Sequence, residues 1–305
     1  MACYVWAMRT VAFLGLGKMG SGMARRFLDA GFALRVFART ESKAAALVAA
    51  GATYFATARA ACDGVDAVVS MVSDDVASRA VWLGPDGALA AATSARAFAI
   101  ECSTLSRGWV LELAQHASAR RLRYVDAPVT GLPEAARAGA LTLLVGADAR
   151  DLADAQALLS VVAQGVLHFG PVGAGTAYKL MINLLGAVQI ASLAEGLALA
   201  ERAGLDLAAV VSAIETSQAA SPQVVRNAKR MLADDHEREV AFTPALRLKD
   251  VRYALELARE AGVDVPFGAV AASMFSQLNA LHPGEINESK VIEVARGHGR
   301  EDGRF

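Results

Sequence analysis

Cysteine is scarce in this chain, and so is any excess of charge. The three cysteines (Cys3, Cys62, Cys102) among 305 residues stand far apart, with no CxxC or CxxH spacing. They read as reduced, mostly buried thiols of a cytosolic protein and argue against a zinc site. The five histidines share no spacing with each other or with acids, so no metal ligand set is expected. Thirty basic residues against 31 acidic ones leave a net charge of −1, which gives no footprint for nucleic acid or an acidic membrane. Residues 1–9 hold no apolar run long enough for a signal peptide, and MACYVWA reads as a disordered lead with Met8 an alternative start. One run, residues 180–200, has the length a bilayer asks for. Asn183, Gln189 and Glu195 interrupt it and Glu201 bounds it, so a helix buried in the protein or in a subunit interface is expected instead.

What the sequence does have is alternation. An apolar strand at 11–14 enters a turn carrying Gly15, Gly17 and Gly20; a helix follows to about Ala30, Gly31 ends it, and a second apolar strand spans 33–37. This βαβ opening sets a G-x-G-x-x-G dinucleotide fingerprint where the chemistry requires it. Gly15 permits the tight turn, Gly17 leaves room for a pyrophosphate, and Gly20 lets helix and strand pack closely. The helix N-terminus presents N–H groups and partial positive charge to phosphates. Further strands are expected at 67–72, 97–101, 123–126 and 141–145, with helices at 43–50, 77–81, 108–120 and 150–162. Such alternation predicts a mostly parallel, doubly wound sheet. It stops near Gly170, and from Lys179 onward the chain reads as helical. Glu215, Asp234, Asp235 and the run HEREV read as a solvated face, and Asp74-Asp75 as a helix start.

The segment after the second strand bears on which dinucleotide binds. An NAD site usually places an acid there for the ribose hydroxyls. This chain has Ala38, Arg39 and Thr40, with Lys43 one turn later; a guanidinium and a hydroxyl suit a 2′-phosphate, so NADP(H) is favoured over NAD(H). Open parallel sheets bind ligands beyond the carboxyl ends of their strands, which nominates Val72, Ser73, Ser103, Thr104 and residues 128–132. Ser103 and Thr104 could equally cap the following helix.

Four ordered segments resemble the β-hydroxyacid dehydrogenase family: GLGKMGSGMA (15–24), DAPVTGLPEAARAGALTLLVG (126–146), GPVGAGTAYKLMIN (170–183) and LKD (248–250). The resemblance implies an α/β Rossmann N-terminal domain (9–172) followed by an all-α C-terminal domain (173–300) used in dimerisation, joined by a long interdomain helix. It implies a cytoplasmic homodimer or homotetramer acting on a small molecule, with no nucleic-acid or membrane partner. It assigns Lys179 as the catalytic lysine, with Asn183 one turn beyond. Gly15, Leu16, Gly17, Lys18, Met19, Gly20, Arg39, Thr40, Lys43, Val72, Ser73, Thr104 and Lys249 fall to the cofactor. Ser103, Thr130, Gly131 and Leu132 fall to the substrate. Where the family carries Ser-Gly-Gly, this chain has Thr130-Gly131-Leu132 followed by Pro133. That implies a substrate larger, more apolar or differently held than a small hydroxy acid.

Hydride transfer between an alcohol carbon and a nicotinamide needs a group that takes or gives the hydroxyl proton. A lysine serves if its ammonium is shielded from water, because desolvation lowers its pKa. Lys179 and Asn183, four apart on a helix, project to one side. The expected reaction interconverts a 2- or 3-hydroxy acid and its semialdehyde or keto acid with NADP(H). The rivals are imine reduction on the same architecture and a non-catalytic NADP(H)-binding module.

Overall fold

The computed structural model describes residues 8–297. The lead MACYVWA, Cys3 and His298 lie outside those residues. The chain divides into two compact units, the first ending at Lys179 and the second beginning at Leu180.

The first unit is built on nine strands. They are β1 Thr10–Leu14, β2 Ala33–Phe37, β3 Thr53–Tyr54, β4 Ala67–Ser70, β5 Phe98–Glu101, β6 Arg123–Asp126, β7 Val129–Thr130, β8 Leu141–Gly146 and β9 Ala163–Gly170. Their order is β3-β2-β1-β4-β5-β6-β8-β7, with β9 paired to β8. Pairing is parallel from β3 through β6 and between β8 and β9, and antiparallel where β8 meets β6 and β7. The helices are α1 Gly20–Asp29, α2 Ala45–Ala49, α3 Ala58–Cys62, α4 Asp75–Trp82, α5 Arg107–Ala119, α6 Pro133–Ala138 and α7 Ala149–Leu159. Strand β1 shows why both faces are covered. Val11 and Phe13 join Met23, Phe27 and Val36 in one core, while Ala12 and Leu14 join Trp82 and Leu113 in the other. A strand apolar on both sides is the mark of a buried parallel sheet.

The predicted parallel sheet and α/β-then-α order are observed, with local differences. The sequence reading missed β3, β7 and β9. The first two are only two residues long. The third, AQGVLHFG, is mostly half-buried or exposed and shows no apolar alternation. The predicted strand at 67–72 stops at Ser70, and the helix expected at 150–162 ends at Leu159. The helix cap expected at Ser103 or Thr104 is instead Ser106, whose hydroxyl accepts the Trp109 N–H at 3.2 Å. Asp74 does start a helix, its carboxylate accepting the Ala77 N–H at 2.8 Å. Cys62 and Cys102 are buried and unpaired. Burial raises both thiols, Cys62 to about 12.

The second unit is helical. Its helices are α8 Ala174–Arg202, which starts in the first unit, then α9 Leu207–Thr216, α10 Pro222–Ala233, α11 Pro244–Glu260, α12 Pro266–Leu281 and α13 Ile292–Arg296, with a 3-10 turn at Glu288–Val291. Pro stands in the first turn of α10, α11 and α12, where its missing N–H costs nothing. By length and composition alone α8 could cross a membrane. Its Ala187, Ile190, Ala194 and Leu197 instead form the second unit's core with Ala228, Val251, Phe275 and Leu278. His236, assigned by sequence to a solvated face, is only 2% exposed, and its Nδ1 pairs with Ser289 Oγ at 2.8 Å.

In the first unit, α8 begins in close contact with the sheet. A Cβ on Gly175 would lie 2.1 Å from the Leu144 carbonyl oxygen and 2.8 Å from the Gly146 nitrogen, both backbone atoms that cannot step aside. Gly175→Ala should therefore cost about 1–3 kcal/mol, the usual penalty of overpacking, read as a lower urea midpoint.

Candidate active site

Because β1, β2, β4 and β5 are parallel, the turns leaving them share one edge of the sheet. Gly15 (φ +99°) makes the tightest of these turns. Its N–H donates to the Phe37 carbonyl at 3.0 Å, and a Cβ there would lie 2.3 Å from the Met71 oxygen. Thus the turns after β1, β2 and β4 meet at this residue. Gly20 is equally constrained, since a Cβ would fall 2.0 Å from the Gly15 oxygen. Gly17 is the opposite case, exposed and with nothing within 4 Å of a Cβ position. No side chain caps Met19 at the head of α1. An open glycine turn at an uncapped helix head fits the phosphates of a dinucleotide. Lys18 is exposed here, whereas Leu16 is 3% exposed and offers only its backbone.

Arg39, Thr40 and Lys43 all face solvent beyond β2. The Thr40 carbonyl accepts the Lys43 N–H at 3.1 Å, folding them into one 3-10 turn with Glu41. On the next strands, the Ser103 hydroxyl accepts the Val72 N–H at 2.7 Å, while the Ser103 N–H donates to Glu101 Oε1 at 3.0 Å. Glu101 also accepts from Ser78 Oγ at 2.9 Å and Trp82 Nε1 at 2.8 Å. Burial raises its carboxyl pKa, against the lowering effect of these donors. Ser103, at 1% exposure, ties together the turns that present Val72, Ser73 and Thr104, its hydroxyl engaged by the Val72 N–H.

Thr130 ends β7, and Gly131 and Leu132 make the turn to α6; all three are exposed. Gly131 has φ +132°, and a Cβ there would press on the Leu141 side chain at 2.7 Å. Leu132 occupies the N-cap position before Pro133 with its isobutyl group 39% exposed.

The sequence reading gave no role to Asp126, at the end of β6. Its carboxylate accepts the Gly173 N–H at 2.6 Å on one oxygen, and on the other the Thr176 N–H at 2.8 Å and Thr176 hydroxyl at 3.0 Å. A fully buried acid thus fastens the first turn of α8, and Lys179 follows three residues after Thr176, half-buried. The signal was available: an acid ending a buried strand must find donors, and a helix head supplies them. In the second unit, Asn183 and Lys249 meet at Asp250. Asn183 Nδ2 donates to Asp250 Oδ2 at 2.5 Å, and Lys249 Nζ lies 3.0 Å from Oδ1. Asp250 is 1% exposed.

The model for the NAD binding domain of 6-phosphogluconate dehydrogenase matches residues 10–170. The model described as NAD-binding of NADP-dependent 3-hydroxyisobutyrate dehydrogenase matches residues 173–295. Among curated proteins, the NAD-dependent L-serine dehydrogenase of Pseudomonas aeruginosa is 34% identical, covering 89% of this chain and 92% of its own. The 3-hydroxyisobutyrate dehydrogenase of the same organism is 32% identical over 95% and 99%. A solved structure of Mycobacterium tuberculosis 3-hydroxyisobutyrate dehydrogenase with L-serine superposes with a TM-score of 0.85 at 30% identity, covering 95% of this chain and 99% of that one. Fold and turn chemistry together define a pyridine-nucleotide-dependent oxidoreductase. The chain belongs to the β-hydroxyacid dehydrogenase family.

Burial pushes the Asp126 carboxyl from 3.8 up to about 6, outweighing the Gly173 and Thr176 donors that lower it. The folded state therefore holds the proton more tightly than the unfolded state does. Asp126's contribution to stability is complete below about pH 3.8 and is lost as pH rises through 6. Asp126→Asn lacks this slope. Between pH 4 and 7 the wild type should lose about 2 kcal/mol relative to the variant, measured by urea unfolding at each pH.

Proposed function

We propose that the protein interconverts a small 2- or 3-hydroxy acid and its semialdehyde or keto acid with NADP(H), Lys179 acting as general acid/base. The observation that carries this reading is the stripe on α8: Lys179 and Asn183 stand one turn apart, three residues beyond the Asp126-anchored turn. A nicotinamide, bound at Gly15–Gly20, Val72, Ser73 and Thr104, supplies the hydride acceptor or donor. Lys179 takes the hydroxyl proton in oxidation and returns it in reduction. It stands half-buried on α8, within the stripe that continues to Asn183. Asn183 adds no charge that would raise the lysine, and its amide, held by Asp250, orients the substrate oxygen. Thr130 and Gly131 offer the carboxylate cradle, and exposed Leu132 adds apolar surface beside it.

Preference for NADP(H) is supported by Arg39, Thr40 and Lys43, which present two cations and a hydroxyl on one exposed turn; Glu41 is the acid beside them. Use of NADPH favours reduction of the semialdehyde. We further propose a cytoplasmic homodimer or homotetramer, supported by Phe267 (76% exposed) and Val270 (55%) on α12. The relatives named L-serine dehydrogenase and 3-hydroxyisobutyrate dehydrogenase lend support to a β-hydroxy acid as the substrate class.

The deciding assay follows NADPH oxidation with succinic semialdehyde, glyoxylate, tartronate semialdehyde and a cyclic imine. Turnover of an oxo acid is expected. Turnover of the imine alone, or of none, overturns the reading in favour of imine reduction or a nucleotide-binding module. Lys179→Ala should lower kcat by 10²- to 10⁴-fold with little change in NADPH affinity. Arg39→Ala should weaken NADPH binding about tenfold and leave NADH nearly unaffected, read by fluorescence titration.

A further inference from the structure

Past Asn183, the reactive stripe of α8 reaches a gap in its own side chains. Lys179, Asn183 and Gly186 are spaced four and three apart, so they share one face, and Gly186 lies about 4.5 Å along the axis from Asn183. Glycine leaves that place on the stripe without a side chain of its own, and it is half-exposed. Side chains of other helices point into the space. A Cβ at Gly186 would lie 3.4 Å from Gln223 Nε2 and 3.5 Å from Arg247 Nη1.

The charges around this gap do not cancel. Arg247 is buried and committed: its Nε donates to Glu288 Oε2 at 2.6 Å, its Nη1 donates to the Asn183 carbonyl at 3.1 Å, and its guanidinium lies over the Phe242 ring at 4.6 Å. Glu288, 2% exposed, is thereby spent on Arg247. Arg226 reaches the same carboxylate only at 4.0 Å, and its Nη2 donates to Gln223 Oε1 at 2.5 Å. Two guanidiniums thus share one acid. The partly exposed member, Arg226, carries the surplus positive charge and is joined through Gln223 to the gap at Gly186. Burial lowers the pKa of Arg226, and Arg247 and Arg230 lower it further against the opposing effect of Glu288, as expected of a cation short of anions.

We propose that Arg226, presented by Gln223 beside Gly186, binds a second carboxylate at the far end of the substrate, so that the preferred substrates are hydroxy dicarboxylates. The assignment rests on the reaction proposed above, in which Asn183 holds the reacting oxygen. In 2-(hydroxymethyl)glutarate four carbon–carbon bonds separate the reacting carbon from the distal carboxylate, a span of roughly 5 Å when extended, comparable to the rise from Asn183 to Gly186. A monocarboxylate of the same length would leave Arg226 without its anion.

The test compares 2-(hydroxymethyl)glutarate with 2-(hydroxymethyl)pentanoate, which replaces the distal carboxylate by a methyl group, at saturating NADP⁺. Wild type should prefer the dicarboxylate at least tenfold in kcat/KM. Arg226→Met should cut that preference by about 10- to 100-fold, chiefly through KM, the range expected for a charge-assisted hydrogen bond. Arg226→Lys should retain an intermediate preference. No wild-type preference, or a ratio unchanged in Arg226→Met, overturns the proposal. If neither alcohol is oxidised, the reaction reading has failed, and calorimetric titration of the protein with glutarate and with butyrate still decides the subsite. Glutarate binding that Arg226→Met abolishes supports it; equal or absent binding of the two acids overturns it.

Discussion

A single buried carboxylate sets where α8 begins. Asp126 ends a strand, yet all three of its hydrogen-bond donors belong to the loop and first turn that start the helix. The attachment is geometric more than stabilising, because burial disfavours the charge by more than the donors recover. What the contact gives is position. Gly146 and Gly175 let backbone approach backbone around it; a Cβ on Gly146 would lie 2.3 Å from Asp126 Oδ1. Removing bulk at two glycines and inserting one acid turns a sheet edge into a clamp on a helix head.

The neighbouring strand repeats the device. Glu101 is the register partner of Asp126, and it too ends its strand buried and ringed by donors. Its donors come from α4 and from the turn after β5, and through Ser103 it reaches the backbone of Val72. Adjacent strand ends therefore carry two acids with separate tasks. One holds the turns of the nucleotide edge, the other the head of α8. Both carboxyls are raised by desolvation, and Tyr124 on β6 is raised as well, first by burial and then by these two acids.

The sequence disclosed those parts of the fold that obey strong local rules. Strands apolar on both faces, the glycine turn and the long apolar helix all have short-range signatures, and each is found close to its expected bounds. Strand β9 was hidden because a partly exposed strand with glycine and histidine shows no period. His236 was misplaced because charged neighbours in HEREV masked a residue that the fold buries against Ser289. For the candidate site, residue types and spacing nominated the glycine turn, and the family resemblance nominated Lys179 and Asn183. Partners that act across long sequence separations were illegible: Asp126 with Thr176, Asn183 with Asp250, Arg247 with Glu288. Such pairs are written in tertiary structure, where sequence distance carries no information.

Both cysteines among the described residues are enclosed in the first unit, with thiols held in the protonated form. At a pKa of about 12, the Cys62 sulfur is a thiolate in only about one molecule in 10⁵ at neutral pH. Free aldehydes are electrophiles that add to exposed thiolates as hemithioacetals. Enclosing both of these sulfurs withholds them from such electrophiles in the surrounding solvent.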